Sequence, residues 1–163
     1  MKNIRLKDTA KRVSALLISR GETLATVESC TGGWVAKVLT DLPGSSAVLQ
    51  CGFVTYSNEA KQQMVGVSAD TLEKFGAVSE AVATEMASGA LKNSNATISL
   101  SITGIAGPEG GTDKKPVGTV CFAWATNKGL LDTETCYFAG DRDAVRRQSV
   151  VHALQGVESR LGG

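Results

Sequence analysis

Apolar residues recur with helical spacing at both ends of the chain. Between residues 6 and 17 they return at intervals of four, three and four positions, and Gly21 follows as a stop signal. The same intervals return between Val150 and Leu161, after Asp141, whose side chain can cap the start of a helix. The pattern therefore predicts a first helix that ends near Gly21 and a last helix that begins after Asp141.

Shorter segments between these helices are rich in β-branched and aromatic residues, which is typical of strands. The predicted strands are residues 23–28, 48–56, 96–103, 117–126 and 130–139, and the last two form a hairpin around residues 127–129. Segments with helical spacing lie between the strands. The predicted helices are residues 35–42, 58–65, 71–75 and a longer helix that ends at residue 92. Pro43 ends the first of them, Asn58 caps the second and Ser79 caps the last.

The order of these elements decides the fold class. Helices interleave with the first strands, and three strands then follow one another closely. Interleaved helices are typical of a parallel sheet, whereas strands joined by a short turn pair antiparallel. The pattern therefore predicts an α/β fold, a three-layer α/β/α sandwich with a mixed β-sheet. Because 163 residues is the length of one domain, we expect residues 1–163 to form a single domain.

Composition narrows the class of protein. Hydrophobic residues make up 42% of the chain and charged residues 20%, which is typical of a globular protein. The formal net charge is +1, so we expect no direct contact with nucleic acid, which usually requires a basic excess. The longest strongly apolar stretch, residues 120–125, is far shorter than a bilayer requires, and no apolar signal region is visible. We therefore expect a cytoplasmic protein without a membrane partner.

Cysteine and histidine usage limits the metal chemistry. The four cysteines form no C-x-x-C pair, so we expect small buried thiols in a reducing compartment. With one histidine in the chain, His152, we expect no metal site and no cofactor. The cysteines are Cys30, Cys51, Cys121 and Cys136.

A serine follows the first predicted strand, in the segment Glu28-Ser29-Cys30-Thr31-Gly32-Gly33. Ligands of α/β sheets bind at the carboxyl ends of strands, and glycines let backbone amides approach an anion or oxyanion. Ser29 is a candidate nucleophile at such a site. The alternative is structural, because Ser29 or Thr31 can simply cap the next helix.

Two more segments are placed where a ligand could bind. Thr103 ends a strand and enters residues 104–111, whose four glycines allow close backbone approach, unless the loop is a plain surface turn. Arg142 and Arg146 lie four residues apart near the start of the last helix, where two cations suit a bound anion. The alternative for the arginines is solvent exposure and pairing with a neighbouring aspartate.

A serine nucleophile needs a group that accepts its proton. His152 lies on the polar face of the last helix, so we expect it to be solvated, and a Ser-His-Asp triad is disfavoured. Lysine and tyrosine remain. Tyr56 ends a strand and Lys61 lies one turn into the next helix, where partial burial could release the lysine proton near neutral pH. A surface position for Lys61 is the alternative.

Motifs spread along the chain resemble those of the CinA C-terminal domain family. They are residues 28–33 (ESCTGG), 43–46 (PGSS), 52–61 (GFVTYSNEAK), 76–80 (GAVSE), 103–108 (TGIAGP), 110–112 (GGT), 115–120 (KPVGTV) and 140–146 (GDRDAVR). The resemblance extends from about Leu6 to Leu161 and is to the stand-alone form of the domain, without the N-terminal domain of longer members.

The resemblance implies a bacterial cytoplasmic enzyme with a three-layer α/β/α fold. Members hydrolyse the carboxamide of nicotinamide mononucleotide to nicotinate mononucleotide and ammonia, which recycles pyridine nucleotides. The resemblance also implies a homo-oligomer. Two other functions stay open, namely a related protein that binds a pyridine nucleotide with little or no turnover, and an accessory protein in DNA uptake or repair.

The resemblance also implies a set of site residues. Ser29 is the expected nucleophile, Lys61 and Tyr56 transfer or orient protons, and Thr103 completes the catalytic set. Backbone amides near Gly32 and Gly33, or in the Gly104 loop, are expected to hold the oxyanion. The residues expected to bind the substrate and its phosphate are Thr31, Gly32, Gly33, Ser46, Gly104, Arg142 and Arg146.

Overall fold

The structure is a computed structural model that describes the backbone of residues 2–162 and the side chains of residues 4–162. Its strands are β1 (Leu24–Glu28), β2 (Leu49–Val54), β3 (Ile98–Gly104), β4 (Thr119–Thr126) and β5 (Leu131–Tyr137). Its helices are α1 (Lys2–Arg20), α2 (Trp34–Thr40), α3 (Asn58–Val65), α4 (Ala69–Phe75), α5 (Glu80–Lys92) and α6 (Arg142–Gly162). A short 3-10 helix, Ser45–Ala47, precedes β2.

The five strands form one mixed sheet in the order β2-β1-β3-β4-β5. β1 pairs in parallel with β2 and β3, whereas β4 is antiparallel to β3 and β5 to β4. The carboxyl ends of β1, β2 and β3 therefore meet at one edge of the sheet. The turn between β4 and β5, residues 127–129, lies at the opposite edge, because Ile98 at the start of β3 pairs with Thr126. The predicted α/β fold with a mixed sheet is confirmed.

Helices α1, α2 and α6 pack on one face of the sheet. Leu17, Leu39 and Leu154 contribute one fully buried side chain from each helix. Trp124 of β4 lies under α6, and its indole N–H donates to the α6 backbone at 3.0 Å. A Cβ at Gly156 would lie 2.1 Å from the indole ring, so only glycine lets α6 come this close to the sheet. This contact fixes α6, and with it the arginines of its first turns.

Helices α3, α4 and α5 cover the other face, and buried hydroxyls of β3 attach α5 to it. Every second residue of β3 points to this face, and each such hydroxyl finds a backbone carbonyl, which offsets the cost of burying it. The pairs are Ser99 with Ala87 at 2.7 Å, Ser101 with Ala83 at 2.6 Å, and Thr103 with Ala77 at 2.8 Å. The series holds α5 and the segment before it against the end of β3.

Helix starts follow the predicted caps with one exception. Ser79 caps α5 and Asp141 caps α6, since each side-chain oxygen accepts an amide of the first turn, at 3.2 and 2.9 Å. The predicted cap at Asn58 is wrong. Ser57 caps α3 instead, because its backbone is extended (φ −119°, ψ 162°) and its hydroxyl accepts an amide at 3.0 Å, whereas Asn58 is already helical.

His152 is half-buried, so the expectation of a solvated histidine is wrong. Its ring centroid lies 4.7 Å from that of Phe122. Its Nε2 lies 3.4 Å from Cys136 Sγ and 3.2 Å from Glu134 Oε2. His152 thus packs on β4 and on polar residues of β5, whereas Gln148 and Ser159 on the same face of α6 are exposed. This position lies beside the antiparallel strands and away from the carboxyl ends of β1, β2 and β3.

Three expectations from composition can be compared with the structure. All four cysteines are free thiols, with Cys30 and Cys121 buried and the other two half-buried. Between residues 2 and 162 no helix is long and apolar enough to cross a membrane. In the same part of the chain, no group of three or more His, Cys, Asp and Glu side chains is arranged to hold a metal ion.

Candidate active site

Ser29 lies where the ends of β1, β2 and β3 meet. Its N–H donates to the backbone of β3 at 3.0 Å, so the hydrogen bonding of the sheet continues past the end of β1. The residue is 9% exposed. The Ser29 loop (residues 29–33) then turns into α2 through Gly32 and Gly33, whose φ angles of +61° and +101° favour glycine. The serine hydroxyl is thus presented in a nearly buried position at the catalytically favoured edge of the sheet.

Lys61 reaches Ser29 from α3 through the interior of the protein. Its Nζ lies 3.2 Å from Ser29 Oγ and donates to the Thr55 carbonyl at 3.0 Å. Only 2% of the residue is exposed, so the alternative of a surface lysine is wrong. The cap at Ser57 starts α3 directly after β2, and Lys61 one turn later then faces the end of the sheet.

Burial lowers the pKa of the Lys61 amine, because water no longer solvates its ammonium form. Among the side chains of residues 4–162, no carboxylate forms an ion pair with it. The neighbouring Cys30 thiol is also buried, which raises its pKa to about 12, so it stays protonated at neutral pH. An amine whose charged form is disfavoured by burial, placed beside a serine hydroxyl, is the arrangement of a general base and its nucleophile.

Glu28, the last residue of β1, is a site residue for which the sequence pattern predicted no role. It is 1% exposed, and its carboxylate accepts the Thr31 hydroxyl at 2.7 Å and the amides of Val35 and Ala36 at 2.9 and 3.2 Å. Neither Ser29 nor Thr31 caps α2, because this carboxylate receives the amides of its first turn. Burial raises the pKa of Glu28, and the donors oppose that rise. An acidic residue that ends an apolar strand just before a small-residue loop is the signal that identifies it.

Two amides of the Ser29 loop are engaged inside the loop. The Gly32 N–H donates to the Ser29 carbonyl at 3.0 Å, and the Gly33 N–H faces the Glu28 carboxylate. This differs from the expectation that amides near Gly32 and Gly33 receive an oxyanion. Across the described part of the chain, no protein oxygen accepts the amides of Cys30 and Thr31. These two loop amides are the candidate oxyanion donors next to Ser29.

Arg142 and Arg146 connect the start of α6 to the loops around Ser29. Arg146 donates to two carbonyls of the Ser29 loop at 3.0 and 3.3 Å. Arg142 donates to the Gly107 carbonyl at 2.9 Å and to the Tyr56 hydroxyl at 3.0 Å. The sequence analysis left open that these two arginines pair with a neighbouring aspartate. In the structure Arg147 forms such an ion pair, with Asp143. A guanidinium has five N–H donors, so both arginines keep donors for an anion.

Thr103 is a neighbour of Ser29 across the sheet. The parallel register of β1 and β3 places both side chains on the same face. The Thr103 hydroxyl donates to a backbone carbonyl at 2.8 Å and is 1% exposed. Gly104 follows, where a Cβ would lie 2.8 Å from the Val120 side chain. In the loop of residues 104–111, Ala106 and Gly107 are buried and Arg142 donates to the Gly107 carbonyl, whereas residues 108–111 are exposed as in a surface turn.

Within residues 4–162, the expected site residues Tyr56 and Ser46 form no hydrogen bond with Ser29. Tyr56 is 60% exposed, and its hydroxyl contacts Arg142. Ser46 is exposed on the 3-10 helix that precedes β2. Because β1 and β2 are parallel, the start of β2 and the end of β1 lie at opposite edges of the sheet. Within one chain, Ser46 is therefore not brought to Ser29.

Sequence comparison identifies close relatives of the chain. A sequence model of the CinA C-terminal domain matches residues 6–161. Over 155 residues the chain is 57% identical to nicotinamide-nucleotide amidohydrolase PncC of Escherichia coli K12. The alignment covers 95% of this chain and 94% of that protein. With the same coverage, the chain is 49% identical to nicotinamide-nucleotide amidohydrolase PncC of Enterobacter agglomerans.

Solved structures share the whole fold. The competence/damage inducible protein CihA of Agrobacterium tumefaciens matches with a TM-score of 0.93 and 41% identity, over 98% of this chain and 96% of that one. A CinA superfamily protein of Klebsiella pneumoniae 700603 matches with a TM-score of 0.92 and 42% identity, over 96% and 98%. By its sequence and its fold, the chain belongs to the CinA C-terminal domain family.

Proposed function

We propose that this chain is a nicotinamide-nucleotide amidohydrolase, which converts nicotinamide mononucleotide to nicotinate mononucleotide and ammonia. The contact of the buried Lys61 with Ser29, 3.2 Å from Nζ to Oγ, carries the proposal. A relative that bears this enzyme name is 57% identical to the chain and supports the choice of substrate. A protein that only binds a nucleotide gains nothing from burying an amine beside a serine hydroxyl. The pair therefore favours turnover over binding alone.

The first half of the reaction forms an ester. Ser29 Oγ attacks the carboxamide carbon while the neutral Lys61 amine takes the hydroxyl proton. The resulting Lys61 ammonium then gives a proton to the amide nitrogen, the C–N bond breaks, and ammonia leaves. The nicotinoyl group remains bound to Ser29 as an ester, and Lys61 is neutral again.

The second half of the reaction returns the enzyme to its starting state. Lys61 takes a proton from water, the hydroxide attacks the ester carbon, and Ser29 leaves with the proton that Lys61 returns. Both tetrahedral intermediates carry an oxyanion, which the amides of Cys30 and Thr31 would receive. Removal of one such donor typically raises the barrier by ~2.7–4 kcal/mol.

The substrate is a nucleotide, and its phosphate needs cationic donors. Arg142 and Arg146 lie on one face of α6 and keep free N–H groups beside the Ser29 loop. Tyr56 orients Arg142 through its hydroxyl, which gives this exposed tyrosine an orienting role. Thr103 and Gly104 border the serine on the side of β3, where they can line the space for the carboxamide.

Ammonia release from nicotinamide mononucleotide tests the proposal. We expect turnover by the unmodified protein and none by Ser29→Ala. The matched control is Ser19→Ala, which removes an exposed hydroxyl of α1 and should keep full activity. Turnover by Ser29→Ala at the rate of the control would refute the serine mechanism. Nucleotide binding by the unmodified protein without any ammonia release would refute the enzyme.

We further infer that single-domain chains of this protein assemble as a cytoplasmic homo-oligomer. The four free thiols support a reducing compartment. Leu131 and Tyr137 on the edge strand β5 are 50% and 68% exposed, and such an edge is a surface for self-association. Size-exclusion chromatography with light scattering measures the mass directly, and a monomer at micromolar concentration would contradict the assembly.

A further inference from the structure

Glu28 is a buried charged residue outside the expected catalytic set. It is 1% exposed, it directly precedes Ser29, and within the described residues it pairs with no lysine or arginine. Burial of a carboxylate without a cation costs free energy, so hydrogen bonds to the carboxylate must offset much of that cost. The partners are hydrogen-bond donors on the far side of the Ser29 loop.

The carboxylate joins the two ends of the Ser29 loop. Oε1 accepts the Thr31 hydroxyl at 2.7 Å and the Val35 amide at 2.9 Å, and Oε2 accepts the Ala36 amide at 3.2 Å. One side chain at the end of β1 is thus bonded to the loop and to the first turn of α2. Ser29 lies in the chain between Glu28 and the residues that Glu28 binds. These hydrogen bonds therefore restrain the position of the serine.

These contacts require a carboxylate. Its two oxygens offer about four acceptor positions, which the Thr31 hydroxyl and the loop and helix amides use. An amide side chain of the same shape has one acceptor atom and would turn an NH₂ group towards the backbone N–H of either Val35 or Ala36, because these two amides bond to different oxygens. The carboxylate thus receives the amides at the start of α2, and the amides of Cys30 and Thr31 make no backbone hydrogen bond within the described residues.

We infer that Glu28 is the positioning residue of this site, which holds Ser29 within reach of Lys61 and orients the Ser29 loop for the oxyanion. The inference rests on the proposed function, since the reaction it serves is the amide hydrolysis described above. Glu28 is 1% exposed and hydrogen-bonded within the protein, so it acts through the loop. Its loss should therefore slow the chemical step and leave substrate binding by the arginines of α6 nearly unchanged.

The test compares Glu28→Gln with a matched control, Glu85→Gln. Glu85 makes the same kind of contact elsewhere, because its carboxylate accepts the Ser68 amide at 2.8 Å and the Thr71 hydroxyl at the start of α4. For ammonia release from nicotinamide mononucleotide, we expect Glu28→Gln to lower kcat by about 100-fold with little change in KM, as a small misplacement of a nucleophile does. Glu85→Gln should keep kcat.

A second readout follows the serine itself. The rate at which a fluorophosphonate probe labels Ser29 should fall in Glu28→Gln and stay normal in Glu85→Gln. Circular dichroism shows whether each variant is folded. If Glu28→Gln does not fold, Thr31→Val removes one donor to the carboxylate at constant shape and should lower kcat and labelling by a smaller factor.

The outcomes separate this inference from the proposed function. Equal kcat and equal labelling in Glu28→Gln and Glu85→Gln, or in Thr31→Val and the unmodified protein, overturn the role of Glu28 while the amidohydrolase stands. Absence of ammonia release from the unmodified protein refutes the proposed function, and the labelling rates then still decide whether Glu28 positions Ser29.

Discussion

Replacement of Lys61 by methionine separates the catalytic effect of the buried amine from its cost to folding. Methionine keeps an unbranched side chain of similar reach and removes the charge. Lys61 is 2% exposed, and burial lowers its pKa from the usual 10.5. Each unit of that lowering means that the folded ammonium form is disfavoured by ~1.4 kcal/mol. The variant should therefore be more stable than the unmodified protein wherever lysine is charged.

The pH dependence of this gain has a definite sign. Between the lowered folded pKa and 10.5, the unfolded chain binds more protons at Lys61 than the folded chain does. The free energy of unfolding therefore rises with pH in that window, and the cost of the buried amine is largest below it. At pH 6 we expect Lys61→Met to be more stable than the unmodified protein, and each 1 kcal/mol of that gain raises the melting temperature by ~2–4 °C for a chain of this size. The gain should shrink as the pH rises.

The activity should change in the opposite direction. Removal of a general base typically costs ~10²–10⁴-fold in rate, so Lys61→Met should release almost no ammonia. In the unmodified protein, kcat/KM should rise about tenfold per pH unit and level off at the lowered pKa of Lys61, because only the neutral amine accepts the Ser29 proton.

Thermal unfolding at pH 6 and pH 9 and an ammonia assay across that range measure both effects. The control is Lys37→Met on α2, an exposed lysine paired with Asp41 at 2.8 Å, which should change neither quantity beyond the small effect of a surface ion pair. The burial argument is refuted if Lys61→Met melts below the unmodified protein at pH 6. Full ammonia release by the variant would remove Lys61 from the mechanism.

Three further predictions address other parts of the structure. Gly156→Ala places a Cβ 2.1 Å from Trp124 and should lower the urea-derived free energy of unfolding by ~1–3 kcal/mol. Gly162→Ala on the same helix places a Cβ at an ordinary contact distance of 3.8 Å from Leu16 and should lower it by much less, and equal losses would contradict the packing argument. Arg142→Met should raise KM for nicotinamide mononucleotide by about tenfold or more, the loss of one charge-assisted contact, and an unchanged KM would exclude it from phosphate binding. His152→Gln should keep kcat and KM, and a large loss of kcat would contradict its separation from Ser29.

Local patterns were enough to predict most of the fold. Hydrophobic spacing and capping residues act over a few positions, so Ser79 and Asp141 mark helix starts correctly, and the strands are found where β-formers cluster. The same local logic identified Ser29 as a candidate, because a serine between a strand and a helix lies at an edge where ligands bind. Asn58 was misassigned by one residue, since a neighbouring serine can serve as the cap equally well.

Local sequence patterns do not predict which distant segments contact each other in the fold. Spacing placed Lys61 on a helix, but only the order of β2, β1 and β3 turns it towards Ser29. Glu28 stands out as an acidic residue at the end of an apolar strand, but this local pattern does not show what it binds, because its donors come from the following loop and helix. His152 looked solvated because a helical face does not reveal that an edge strand covers it. Ser46 belongs to a characteristic motif, yet strand direction places it at the opposite edge of the sheet from Ser29.

The turn between β4 and β5 is a natural attachment point for engineering. It lies at the edge of the sheet opposite Ser29, Lys128 at its tip is exposed, and open space surrounds the position of a Cβ at Gly129. Exposed turns of this kind tolerate inserted segments. A linker or a fluorescent domain inserted at Lys128 would therefore leave the catalytic edge unobstructed, which makes this hairpin the place to immobilise the protein or to convert it into a sensor of its nucleotide.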